Sequence, residues 1–386
     1  MHVRLESHRL SICKVLFLNE TLMNTALKIA LLFLTAMLTF GPTAAAQESK
    51  VTIKVLAGKR TFVGKLLAAD DETMVLLRRN GRMTMIPRER IEAAKTVASN
   101  FTAMTKDEMR AQLQREFGNK YQVSVTDHFL VVHPEGDYQI WAMPFEKLYI
   151  RFNNYFHSRS VNLDEPEFPM VAVVLQSRAE FDRFLENYHE ADNNILGYYS
   201  PKSNRIITYD QTEGAAKDHD WFFTVDTIIH EATHQSAFNT GLHSRFASNP
   251  IWIAEGLATM FEAQGMQNSL YYSKPRDRIN FGRLADLKAL YQNDKVDDKL
   301  IARMISSDDI FNESPAAAYA LAWGLTYYLA EKQPEKYAAF LRKDSDREDF
   351  RDYSSRERLE DFIRKFGSIS NLSARMKTFI KSLPDE

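Results

Sequence analysis

The sequence predicts an α+β protein: a small SH3- or Sm-like β-barrel, then an α/β subdomain, then a mainly helical subdomain. Three observations predict it. Short apolar and β-branched runs broken by Gly, Asp and Asn fill residues 51–94. Helical and strand-like periods alternate across residues 99–217. From about Asp218 the strand period stops and helical spacing continues to the end of the chain.

Residues 1–46 read as an N-terminal extension and a secretory signal peptide. "MNTALKIALLFLTAMLTFGPTAAAQ" offers Lys28, an apolar run from Ile29 to Phe40, and small residues at Ala44–Ala46, with cleavage expected after Ala46. Gly41-Pro42 end the run well short of the ~20 residues of a membrane span. Met23 is the expected start, because Glu6 and Glu20 make the upstream piece a poor leader. The mature chain is thus expected to be exported, periplasmic or extracellular, and without a transmembrane anchor. The single cysteine, Cys13, lies upstream, so no disulfide is expected to stabilise the fold.

Residues 47–98 give four or five strands, with Asn80-Gly81 expected to form a type I′ turn. Arg78, Arg79, Arg82, Arg88 and Arg90 crowd one end of this module. No aromatic residues interleave them, and the whole chain has a net charge of −2, so no nucleic-acid partner is expected. A targeting or docking role fits the module better.

In residues 99–217, Thr105-x-x-Glu108 opens a helix with a capping box. "YQVSVTDHFLVVHP" reads as a hairpin, Gln139–Ser158 as a helix and "MVAVVL" as a buried strand. Ser177-x-x-Glu180 caps the next helix, and "ILGYYSPKSNRIITYD" forms a second hairpin. In residues 218–386 helices are expected at 221–239, 250–264, 283–291, 315–332, 334–343 and 355–382, the last broken near Gly367.

Chemistry concentrates in "DTIIHEATHQSAF". His230 and His234 are i and i+4, on one face of a helix ended by Gly241. Imidazoles so placed reach one tetrahedral ion at roughly 2.0–2.1 Å. Glu231 projects from the adjacent face, towards a water rather than the metal. The plainer reading is a helix whose histidines are satisfied in the core. Against it, Ile228, Ile229 and Ala232 make the rest of the helix apolar, and buried charges need partners. Downstream, "SNPIWIAEGLATMFEAQG" starts with Asn249 as N-cap and Pro250 at the first helical position. Glu255 sits there among Trp252, Ile253, Ala254 and Leu257 and needs a cation. Two His and one Glu leave a fourth position, the catalytic form of a one-ion zinc site.

"HEATHQ" followed by "WIAEGLA" resembles the gluzincin clan of zinc metallopeptidases. "GYYSPKSNRIITYD" and "AYALAWGLTYYL" extend the likeness to the secreted bacterial peptidase-MA-like family of that clan, over roughly residues 120–343. The resemblance implies a zincin subdomain at 218–386, with His230, His234 and Glu255 as zinc ligands and Glu231 as general base. It implies peptide or protein substrates, held along an edge strand from "GYYS" or "RIITYD". It also implies a tyrosine that stabilises the oxyanion, which Tyr319 matches; as a plain sequence, Tyr319, Trp323, Tyr327 and Ala330 form a core stripe. His243 is a second candidate for that role. Gln235, Ser236 and Thr259 depart from the pattern, Thr259 standing where many relatives carry an acidic residue. The alternative is an inactive gluzincin-fold binding or structural protein of the cell envelope.

Overall fold

The computed structural model describes residues 51–186, 195–212, 220–267 and 271–386. The signal peptide, the Met23 start and Cys13 lie outside the described residues.

Alternating apolar positions draw residues 52–98 into five strands: β1 (Thr52–Ala57), β2 (Arg60–Ala69), β3 (Thr73–Arg78), β4 (Met83–Pro87) and β5 (Ile91–Ala98). They pair antiparallel in the order β4-β3-β2-β1-β5 over a core of Ile53, Val55, Met74, Leu76 and Ile86. The β3–β4 turn differs from expectation. Arg78 N–H donates to Arg82 O (2.9 Å) and Gly81 N–H to Arg78 O (2.9 Å), enclosing three residues. Only Gly81 has a positive φ, at 76°, whereas a type I′ turn needs two such residues. Asn80 stays in an ordinary conformation, its side-chain oxygen accepting from Arg82 N–H and its amide donating to Gln112.

The α/β part comprises α1 (Lys106–Phe117), β6 (Gln122–Val125), β7 (Phe129–His133), α2 (Tyr138–Trp141), α3 (Met143–His157), β8 (Met170–Leu175), α4 (Arg178–Glu186), β9 (Gly197–Ser200) and β10 (Arg205–Tyr209). Thr105 and Glu108 form the expected capping box on α1. The sheet order is β6-β7-β8-β10-β9, with β7, β8 and β10 parallel and the two outer strands antiparallel. Of the two candidate edge strands, "GYYS" (β9) ends the order and "RIITY" (β10) is interior.

The helical part comprises α5 (Asp220–Asn239), α6 (Ile251–Phe261), α7 (Gln264–Gln267), α8 (Phe281–Gln292), α9 (Asp298–Ser306), α10 (Ile310–Glu313), α11 (Pro315–Lys332), α12 (Pro334–Ser345), α13 (Ser355–Phe366) and α14 (Ile369–Ser382). Gly367, at φ 89°, separates the last two as expected. The sequence reading missed α9 and α10, although Asp297 caps α9 by accepting from Leu300 N–H at 2.8 Å. The expected helix 250–264 ends at Phe261.

Parallel strands must be covered on both faces, and β8 shows how this is met. Met170, Ala172 and Val174 pack with α3 and α5, while Val171, Val173 and Leu175 pack with α1 and α4. The first of these cores runs on without a break into α6, α8 and α11, so the sheet and the helical half share one interior.

Helix α6 is buried from Trp252 to Phe261 and lies between α5 and α11. Asn249 does not cap it, because the helix starts one residue later than expected: Pro250 holds the cap position and the Asn249 amide donates instead to Ser244 O and Ala247 O. Asp308 serves instead, accepting from Ile251 N–H at 2.9 Å while Arg358 donates to its other oxygen at 2.8 Å. At Gly256 the two helices touch: a Cβ there would strike Thr326 Oγ1 and come within 2.6 Å of Ala322 O. Gly256→Ala should therefore lower stability by about 2 kcal/mol, read as a reduced urea midpoint. Gly282→Ala, whose added Cβ meets only Asn280 Oδ1 at 3.6 Å, should leave the midpoint nearly unchanged.

Candidate metal centre

Helix α5 is held at its middle by polar contacts. Gln235, in a position where the resembled family favours hydrophobic residues, donates to Val171 O (3.2 Å) and Asn204 O (2.9 Å). Asn204 also accepts from Asn239 at 2.8 Å. The helix is thereby tied to β8 and to the β9–β10 turn. Beyond Asn239, Gly241 takes the left-handed conformation, φ 73°, as expected of its C-terminal cap.

On this helix and on α6 the predicted ligands converge. His230 Nε2 lies 3.1 Å from His234 Nε2 and 3.1 Å from Glu255 Oε2, and His234 Nε2 lies 3.6 Å from Glu255 Oε1. One ligand atom from each falls within 4.8 Å of the others. A tetrahedral ion with bonds of roughly 2.0–2.1 Å spaces its ligand atoms about 3.3 Å apart, so the three edges fit such an ion. The donor set points the same way. Two ring nitrogens face each other beside a carboxylate, with all three residues at most 3% exposed, which a cation would neutralise. The His230–His234–Glu255 group could therefore hold a metal ion.

A second carboxylate orients His230. Glu262 Oε1 sits 2.7 Å from His230 Nδ1, and its Oε2 accepts from Asn280 at 2.8 Å. This is the usual partner of a metal-ligating imidazole, fixing the tautomer and turning Nε2 towards the ion. The sequence reading missed Glu262 and looked for an acidic group at position 259. Thr259 instead donates its hydroxyl to Glu255 O at 2.7 Å, and Asn280 also donates to Thr259 O. The sequence carries only part of that signal: Glu262 lies seven positions after Glu255, two turns along the same face, but nothing local pairs it with His230.

Charge in the site is strongly perturbed. Burial opposes protonation of His230, but its contacts with Glu255 and Glu262 outweigh that and raise it to about 10. Burial acts against ionised Glu255 as well, yet His234 and His230 bring it down to about 2. Burial and the charge of Glu262 push Asp226, one turn before His230, up to about 7. Glu255 is thus held ionised beside the two imidazoles, while Asp226 is pushed towards its neutral form.

Glu231 is fully buried on α5, immediately after His230. Tyr319 is on α11, its ring edge-on to Phe311 at 5.6 Å and beneath the Arg283 guanidinium at 5.2 Å; neither contact involves the triad. His243 is not suited to donate to an oxyanion. Its Nδ1 faces Leu242 O at 3.0 Å and so carries the ring proton, while burial and His234 push its pKa down to about 3. The neutral ring leaves Nε2 an acceptor.

The profile of a family described as "Protein of unknown function (DUF1570)" matches residues 224–351, a span that holds His230, Glu231, His234, Glu255, Glu262 and Tyr319. No curated protein matches this chain.

Glu262→Gln should weaken metal binding by about 10- to 100-fold without unfolding the chain, as measured by titration against a competing chelator. In chelator-stripped protein a cation must displace the proton that His230 retains up to about pH 10. Metal affinity should therefore rise with pH through neutrality in the same titration.

Proposed function

We propose that the protein is an exported zinc-dependent metallopeptidase of the gluzincin type. The observation that carries this reading is the meeting of His230, His234 and Glu255 at tetrahedral spacing, with Glu231 next to His230 on the same helix. Zinc bound there would supply Lewis acidity to a substrate carbonyl and acidify water. Glu231 would take the proton from the attacking water and return it to the leaving amine. Glu262 would keep the His230 ring in register during that exchange. A hydroxyl donor opposite the ligands would complete the site, a role the family resemblance assigns to Tyr319. The β9 strand, which ends the second sheet, is the segment proposed to pair with an extended substrate.

Export is part of the proposal and rests on the Ile29–Phe40 apolar run and the Ala44–Ala46 site. Among the described residues no helix is long and apolar enough to cross a membrane.

One observation favours the second reading, a metal-stabilised binding or structural protein. His230, Glu231, His234 and Glu255 are each no more than 3% exposed, more enclosed than an open cleft. The Glu231→Gln variant separates the two. For a peptidase it should keep one metal per chain and the parent's melting temperature, and lose at least about 10²-fold in hydrolysis of a denatured protein digest. If the parent leaves that digest intact while chelation lowers its melting temperature, the structural reading stands.

A further inference from the structure

The proposed metal chemistry makes no use of the N-terminal sheet, yet that sheet carries a distinctive charge. Residues 47–98 contain eleven Lys and Arg against six Asp and Glu, in a chain whose total charge is −2. Lys59, Arg60, Arg78, Arg82 and Arg90 converge there with Lys202 of the β9–β10 turn around a groove of about 700 Å³. Among the described residues no carboxylate lines this groove, and Phe62, Met83 and Met85 give it an apolar floor. Arg78 is only partly exposed and, among the described residues, forms no ion pair. Solvated arginines on a turn normally spread apart; these share one concavity.

The groove also runs along a strand edge. β4 ends the sheet order, and Met83 turns its N–H away from β3 to Lys202 O at 2.8 Å. Outward and inward groups alternate along an antiparallel strand, so Met85 presents its N–H and C=O on the same side as Met83. With Met83 N–H taken by Lys202 O, the outward N–H and C=O of Met85 beside positive charge select an occupant with both amides and carboxylates. Nucleic acid has no backbone amides to pair with the edge, and a flat lipid surface does not enter a groove.

We propose that this groove binds an extended acidic polypeptide segment, which adds to the β4 edge at Met85 and sets its carboxylates against Arg60, Arg78 and Arg90. Such binding does not depend on whether the metal centre cleaves anything.

The test uses the full mature chain carrying Glu231→Gln, so that no probe is consumed, and fluorescence anisotropy of a labelled peptide of alternating Glu and Val. The peptide should bind, and binding should weaken as salt is raised. Its Lys–Val counterpart should not bind. Reversing two exposed charges, Arg60→Glu with Arg90→Glu, should weaken binding by about tenfold or more. Met85→Pro removes an outward N–H that the sheet does not use, so it should weaken binding while the melting temperature holds. Should that variant melt early, the same peptide with N-methylated valines gives the equivalent measurement, and it should fail to bind. The proposal is overturned if the charge reversals leave binding unchanged, or if the N-methylated peptide binds as well as the parent. It is equally overturned if a single-stranded oligonucleotide, inorganic polyphosphate or phosphatidylglycerol vesicles bind more tightly than the peptide.

Discussion

Carboxylates gathered about a buried pair of imidazoles are the constraint on which this structure depends. Glu255 and Glu262 both reach His230, Asp226 lies one turn away, and Glu231 is buried on the same helix. Bringing carboxylates into a low-dielectric interior costs free energy that paired cationic groups must offset. Two imidazoles placed between the carboxylates offset that cost, and a divalent ion would do so more fully. The packing of the helical half can be understood as the means of holding these groups against their own repulsion.

The restraint comes from two directions. From the sheet side, Gln235 and Asn239 fasten α5 to strand and turn carbonyls, so the two histidines cannot rotate away from α6. From the helical side, α6 is closed against α11 at Gly256 and capped by Asp308, which Arg358 of α13 holds in place. A carboxylate from outside the helix thus does the capping that Asn249 would have done locally. The C-terminal helices, remote in sequence from the ligands, therefore fix the position of Glu255.

How much of this could be read from the sequence follows from the range of each interaction. His230, His234 and Glu231 are set by one helix's period, and Glu255 by an apolar helix that leaves a charge without a local partner. The capping box at Thr105 and the break at Gly367 are likewise local, and the structure has both. Glu262 was not legible as the partner of His230, because 32 positions separate them and only the packing of α6 on α5 brings them together. The type I′ expectation at Asn80-Gly81 failed for a similar reason. That turn is shaped by what it docks against, with Gln112 on one side and Phe168 and Asn204 close to Gly81 on the other. Helix α9 is only nine residues long and follows the charged run of residues 294–298, so its Asp297 cap carries little helical period with it.

The guanidinium of Arg245 has a consequence for the architecture. It is buried, donating to Pro201 O and, at 2.6 Å, to Gly81 O at the tip of the N-terminal sheet. Leu77 and Met83 of that sheet close over Phe168 beside it. Shearing off the first hundred residues would take the Gly81 carbonyl from this buried cation and bare a phenyl ring a short step from the turn that steadies α5. The small sheet is thus a keystone of the larger body, and the two have been shaped to stand together.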